Sequence, residues 1–150
     1  KSYSKLFGGY SQRPEDILKT FEEGVCDEMV LLKNIEFASC CEHHMLPFTG
    51  RAHIAYVPNG KIIGISKLAR LLEIFARRLQ IQERIGQQVT EAMDRLLLPH
   101  GSACILEAQH SCMTSRGVEK QNSIMCTSSL TGIFKTQPET RQELLQLIKG

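Results

Sequence analysis

Residues 64–97 read GISKLARLLEIFARRLQIQERIGQQVTEAMDRLL, two helical patterns set end to end between strand-like segments, and they decide the fold. Leu68, Leu71, Leu72, Phe75 and Leu79 follow Ser66 at helical spacing, with Ser66 in the N-cap position. A second stripe, Ile85, Val89, Met93, Leu96 and Leu97, ends near Pro99-His100-Gly101. Upstream, residues 29–37 are apolar and β-branched and predict a strand; residues 48–57 predict another. Pro58-Asn59-Gly60 is a hairpin turn signal, with strand expected to continue over residues 61–65. Downstream, strands are expected over residues 103–112 and 123–134. Pro14-Glu15-Asp16 opens a short helix, and Pro138-Glu139 opens a terminal one through Ile148.

The order is ββααββ plus terminal helices, an α+β domain whose antiparallel sheet carries two helices packed on one face. Its other face and its edges need cover, and self-association is the economical solution, so a homo-oligomer is expected.

At 150 residues the chain is read as one domain, able to bury roughly two-thirds of its unfolded surface. Its 42% hydrophobic and 23% charged residues match a globular protein, and no apolar run approaches the ~18 residues that span a bilayer. A net charge of +2 with interspersed signs argues against nucleic acid as a partner. Six cysteines and no export signal predict reduced thiols in a cytoplasmic protein rather than a disulfide scaffold. Packing is the expected role of Cys26, Cys40, Cys104 and Cys126, none of which has a histidine at ligand spacing.

Two segments carry metal chemistry. In Cys41-Glu42-His43-His44 a thiolate and an imidazole in one turn can point at a single ion, and that pair suits Zn2+. Spacing leaves open which of His43 and His44 is the ligand. In His110-Ser111-Cys112, strand alternation puts His110 and Cys112 on one side, with Cys104, Leu106 and Ala108. Cys41, one histidine and Cys112 would leave a fourth position for water, as a catalytic zinc requires; a closed structural site that adds His110 is the alternative. Spare imidazoles suit proton transfer. Ser66-Lys67 with Arg70 one turn on could hold phosphate at a helix start. Glu83, beside Gln82, could read a guanine edge, and Arg116 could bind an anion near the metal. The plainer readings are a capped helix, helix-dipole chemistry and a solvated arginine.

Taken together, residues 41–48 (CEHHMLPF), 64–70 (GISKLAR), 78–84 (RLQIQER) and 110–118 (HSCMTSRGV) resemble GTP cyclohydrolase I, over residues 6–149. The resemblance implies the tunnelling fold, in rings that stack into a homodecamer with active sites between subunits. It implies zinc on Cys41, His44 and Cys112, with His43, His110 and Ser66 handling protons. It implies Gln82 and Glu83 as guanine readers, and Ser66, Lys67, Arg70 and Arg116 on the ribose and triphosphate. The implied reaction converts GTP and water to 7,8-dihydroneopterin triphosphate and formate, a product that feeds folate or tetrahydrobiopterin synthesis. A regulatory protein on the rings is a further partner that the family admits. Members usually carry a helical N-terminal extension with another phosphate-binding arginine, and it is expected to be absent here. Rival readings are a pterin synthase with a three-histidine zinc site, a nitrile reductase with a catalytic cysteine, and a zinc-stabilised scaffold without turnover.

Overall fold

The computed structural model describes residues 5–18, 20–21, 27–111 and 123–150. Strand β1 (Thr20–Phe21) precedes the long β2 (Val30–Cys41) and β3 (Pro47–Val57), then a short β4 (Ile62–Ile63). Helix α1 (Pro14–Ile17) lies near the start; α2 (Ile65–Ala76) and α3 (Gln82–Leu97) flank a short β5 (Leu79–Gln80). Strands β6 (Gly101–His110) and β7 (Met125–Leu130) complete the sheet, followed by α4 (Ile133–Thr136) and α5 (Pro138–Lys149). The main sheet runs β5-β2-β3-β6-β7, antiparallel throughout except where β5 joins β2 in parallel.

Helices α2 and α3 lie on one face, as the two stripes require. Leu68, Leu71, Leu72 and Phe75 of α2 and Ile85, Val89, Met93 and Leu97 of α3 are buried against Ala52, Ile54, Tyr56, Cys104 and Leu106 of the sheet. The other face is not left wholly to a partner: Phe134 of α4 and Leu144 of α5 pack on Ala55, Val57 and Ala103. Among the described residues no helix is long and apolar enough to cross a membrane.

Several boundaries differ from expectation, each for a non-local reason. Pro58-Asn59-Gly60 does turn the chain, with Gly60 at φ +87°, but Ile62–Ile63 pairs with β1 instead of folding back on β3. Both edges of β3 are already occupied by β2 and β6, so no ladder position remains for a hairpin partner. The N-cap of α2 is Gly64, whose carbonyl accepts the Lys67 N–H at 3.0 Å, and Ser66 is the second helical residue. Leu79 leaves the helix stripe for β5, where it pairs with Cys40, while the Arg78 Nε–H holds the Ile74 carbonyl at 2.9 Å. The 123–134 segment is strand only to Leu130; Gly132, at φ +57° and pressed on the His100 carbonyl, turns it into α4. Strand β2 runs four residues past Phe37 and carries a bulge between Leu32 and Ile35.

Gly50 of β3 lies opposite Ala108 of β6, and a Cβ there would sit 1.9 Å from the Glu107 carbonyl oxygen. Backbone cannot yield as a side-chain tip can. Gly50→Ala is expected to cost about 1–3 kcal/mol, read as a lower urea midpoint by circular dichroism.

Candidate active site

The site grows from one end of the sheet, where β2 stops, β3 starts and β6 stops. Cys40 pairs with Pro47 and Phe48 with His110, so the 41–46 loop and His110 reach the same end. The loop is closed by its own backbone: the Cys41 N–H donates to the Leu46 carbonyl and the Cys41 carbonyl accepts from the Met45 N–H, both at 2.8 Å. Met45 takes φ +55° to make that closure. Cys41 is buried at the strand end, whereas His43 and His44 are exposed on the turn with ring centroids 6.4 Å apart. With its main-chain groups engaged at both ends, the turn exposes two imidazoles beside the buried Cys41 thiol.

Next along the sheet edge, β5 pairs with Cys40 and Cys41 and leads directly into α3. The Glu42 N–H donates to the Gln80 carbonyl at 3.0 Å, which seats the turn beside the start of α3. The Arg84 guanidinium holds the Glu42 carboxyl below its ordinary pKa by hydrogen bonding, against a smaller desolvation. Glu83 is exposed on the first turn of the helix.

His110 is half-buried between an aromatic face and an amide. Its ring stacks on Phe48 at 4.4 Å with a 4° interplanar angle, and Phe48 meets Phe37 edge-on at 6.2 Å. Its Nε2 lies 2.8 Å from Gln82 Oε1. Gln82 is 1% exposed, and its Nε2 faces the Leu106 carbonyl at 3.2 Å, the Met125 carbonyl at 3.0 Å and Thr127 Oγ1 at 3.1 Å. Carbonyls only accept, so the amide nitrogen must face them and the amide oxygen must face the histidine. Neutral His110 is therefore the Nε2–H tautomer. Desolvation lowers its pKa, while the Glu83 charge acts the other way.

Gln82 and Glu83 thus part company: the Gln82 side chain bonds inside the chain, and Glu83 faces outward. Ser66 and Arg70 are exposed and Lys67 is half-buried on the first turns of α2. That helix starts beside Tyr56, whose hydroxyl accepts the Ile63 N–H at 3.0 Å, and ends beside Ser39, whose hydroxyl donates to the Arg78 carbonyl at 3.3 Å. Twelve helical residues span roughly 18 Å, so within one chain Ser66 and Lys67 lie at the far end of the sheet from Cys41 and His110. Cys112 and Arg116 lie outside the described residues, and β6 itself ends at His110. Among the described residues no three His, Cys, Asp or Glu side chains gather as a metal group. The donor types at the turn, a thiol at a strand end and imidazoles beside it, fit zinc.

Of the cysteines expected to pack, Cys40 and Cys104 are buried, Cys126 is exposed on β7, and Cys26 lies outside the described residues. Cys126 pairs with Glu107 and lines an open cavity with Leu145 and Ile148 of α5. Two contacts at the candidate site are not evident from the sequence: the Phe48 ring under His110 and the Arg84 grip on Glu42. Phe48 lies within the 41–48 motif, which is the only signal that pointed toward it.

The sheet with two helices on one face, and a site at the strand ends, define the class of protein. An archaeosine synthase, QueF-Like, solved in the apo form, shares the fold at a TM-score of 0.59 and 13% identity, over 73% of this chain and 97% of that one. That is the tunnelling fold. A family model for GTP cyclohydrolase I matches residues 1–149. The GTP cyclohydrolase 1 of Wolinella succinogenes is 55% identical over 150 residues, 99% of this chain and 80% of that protein. Those of Chlorobaculum tepidum and Helicobacter pylori (strain HPAG1) are 54% and 50% identical, over 99% and 97% of this chain and 66% and 81% of their own lengths. The chain belongs to the GTP cyclohydrolase I family.

Complete burial pushes the Cys104 thiol up to about 12. Its thiolate is thus almost unpopulated near neutral pH, and Cys104 is expected to resist maleimide until the protein is unfolded. Peptide mass mapping of native and urea-treated protein checks this; rapid native labelling would contradict the burial.

Proposed function

We propose that this chain hydrolyses and rearranges GTP to 7,8-dihydroneopterin triphosphate and formate, and that Cys41, His44 and Cys112 would hold its zinc ion. The observation that carries the reading is the convergence, at one sheet end, of the Cys41–His44 turn, His110 and the α3 start bearing Glu83. Zinc held there supplies Lewis acidity toward water near neutral pH. His110, its Nε2–H engaged by Gln82, delivers and takes protons at Nδ1 as the purine imidazole ring opens. Glu83 accepts two N–H groups from guanine, a charge-assisted bidentate contact. Gln82, turned inward, serves the guanine site by holding His110. His43 and Ser66 handle protons in the later ribose rearrangement and ring closure. The enzyme is read as cytoplasmic, and nothing in its charge suits nucleic acid.

Lys67, Arg70, Ser66 and Arg116 hold the ribose and triphosphate, and the helix of roughly 18 Å between Ser66 and the zinc turn supports a site shared between chains. Ser66 and Lys67 lie at the opposite end of the sheet from the zinc turn of their own chain, so a neighbouring chain supplies them to each site. This reading favours an obligate oligomer, a decamer of stacked pentamers on the family pattern.

Two experiments test these points. His110→Ala should keep its zinc and lose formate release by roughly 10²–10⁴-fold, the scale of a lost general acid or base. His44→Ala should lose the metal. Zinc analysis with the opposite pattern would exchange the two roles, and no formate from metal-loaded wild-type protein would sink the activity.

The shared site makes a second outcome specific. Chains carrying Lys67→Ala and chains carrying His110→Ala, each nearly inactive alone, should regain formate release when unfolded together and refolded as mixed assemblies. Mixed assemblies as inactive as their parents would place both groups in one chain's site.

A further inference from the structure

The turn that carries Cys41 and His44 has little to hold its middle. Its two closing bonds are at its ends; Glu42, His43, His44 and Met45 are all exposed, with Met45 62% exposed. No apolar side chain of those four anchors the turn to the core. Among the described residues, besides the Glu42 N–H bond to the Gln80 carbonyl, one side-chain grip reaches into it. Arg84, on the first turn of α3, donates from Nη1 to Glu42 Oε2 at 2.7 Å and from Nη2 to Glu42 Oε1 at 3.1 Å. Two parallel bonds fix orientation as well as distance, which a single contact cannot do.

The base of this grip is rigid. Arg84 is one residue from Glu83 and two from Gln82, whose amide is buried under β6 and β7. Gln80, just before α3, is 1% exposed, and its Nε2 donates to the Phe75 carbonyl at 2.9 Å and to Gln88 Oε1 at 2.6 Å. The Gln80 carbonyl in turn receives the Glu42 N–H. Of the other ion pairs of the described residues, Arg77–Glu73 lies within one helix, Arg95–Glu15 joins two helices and His53–Glu107 joins β3 to β6; none of these touches the turn.

We propose that Arg84 is a positioning residue: by gripping Glu42 it sets the Cys41–His44 turn against the helix start that bears Glu83, so that metal and guanine site stay in register. This rests on the zinc reading above. The pair's side chains are 39% and 33% exposed, so it adds little to global stability; its effect lies in aiming the turn.

The test uses the intact zinc-loaded assembly. Arg84→Met, Glu42→Gln and the double variant are compared with wild type for zinc affinity by chelator competition, for KM and kcat with GTP, and for urea midpoint. Each single variant should lose roughly 10–100-fold in zinc affinity, the scale seen when a ligand's supporting partner is removed. The double should lose no more than the worse single, since one interaction is removed either way. Urea midpoints of the metal-free proteins should match, and the swapped Glu42→Arg with Arg84→Glu should recover part of the affinity. Zinc held as tightly in both singles as in wild type, or additive losses, would overturn the proposal while leaving the activity standing. Wild-type protein that binds no zinc would overturn both.

Discussion

The register that puts Phe48 opposite His110 governs this end of the molecule. Side chains alternate along a strand, so a slip of one residue between β3 and β6 would swing His110 from the helix-covered face to the other. The same register brings Gly50 against Ala108, where only glycine fits, and so is enforced from within two residues of the site. Phe48 then serves twice, as a core side chain that is 1% exposed and as the surface on which the imidazole lies.

Around that pairing the polar groups are arranged to remove freedom. Gln82 spends its whole amide on holding: three acceptors orient its nitrogen, and the remaining oxygen selects one tautomer of His110. A buried amide left unmatched would be costly, so the orientation is self-enforcing. A fully buried histidine works in a similar way on the opposite face. His53 Nδ1 accepts the Asn34 N–H at 3.1 Å, which stabilises the β2 bulge, and its Nε2 lies 2.8 Å from Glu107. That bulge bends the strand far from the site, yet beyond it β2 runs in unbroken register with β3 to Cys40.

The proposed site residues divide between the two ends of the sheet. Helix α2 is amphipathic and lies along the sheet, so its start and its end cannot serve the same pocket in one chain. On the proposed reading, a catalyst built on this frame would gain a complete site when chains associate, and the cover its sheet edges need would come with the same step.

Much was legible from residues alone. The two helical stripes, the proline-led helices at Pro14 and Pro138, and the strands around residues 30–37 and 48–57 are local patterns, set by side-chain periodicity and backbone preference. The motif residues Cys41, His43, His44, Glu83 and His110 could be picked out because thiols, imidazoles and carboxylates at short spacing declare their chemistry locally. What required the tertiary structure was every pairing between distant segments. Leu79 leaves its helix because Cys40 offers a strand edge; Ile62 avoids β3 because both edges there are taken; Gln82 turns inward because Leu106 and Met125 present carbonyls. The Arg84 grip on Glu42 spans 42 residues of sequence. Such contacts are settled by which donors and edges remain unfilled once the chain has folded, and no local spacing records that.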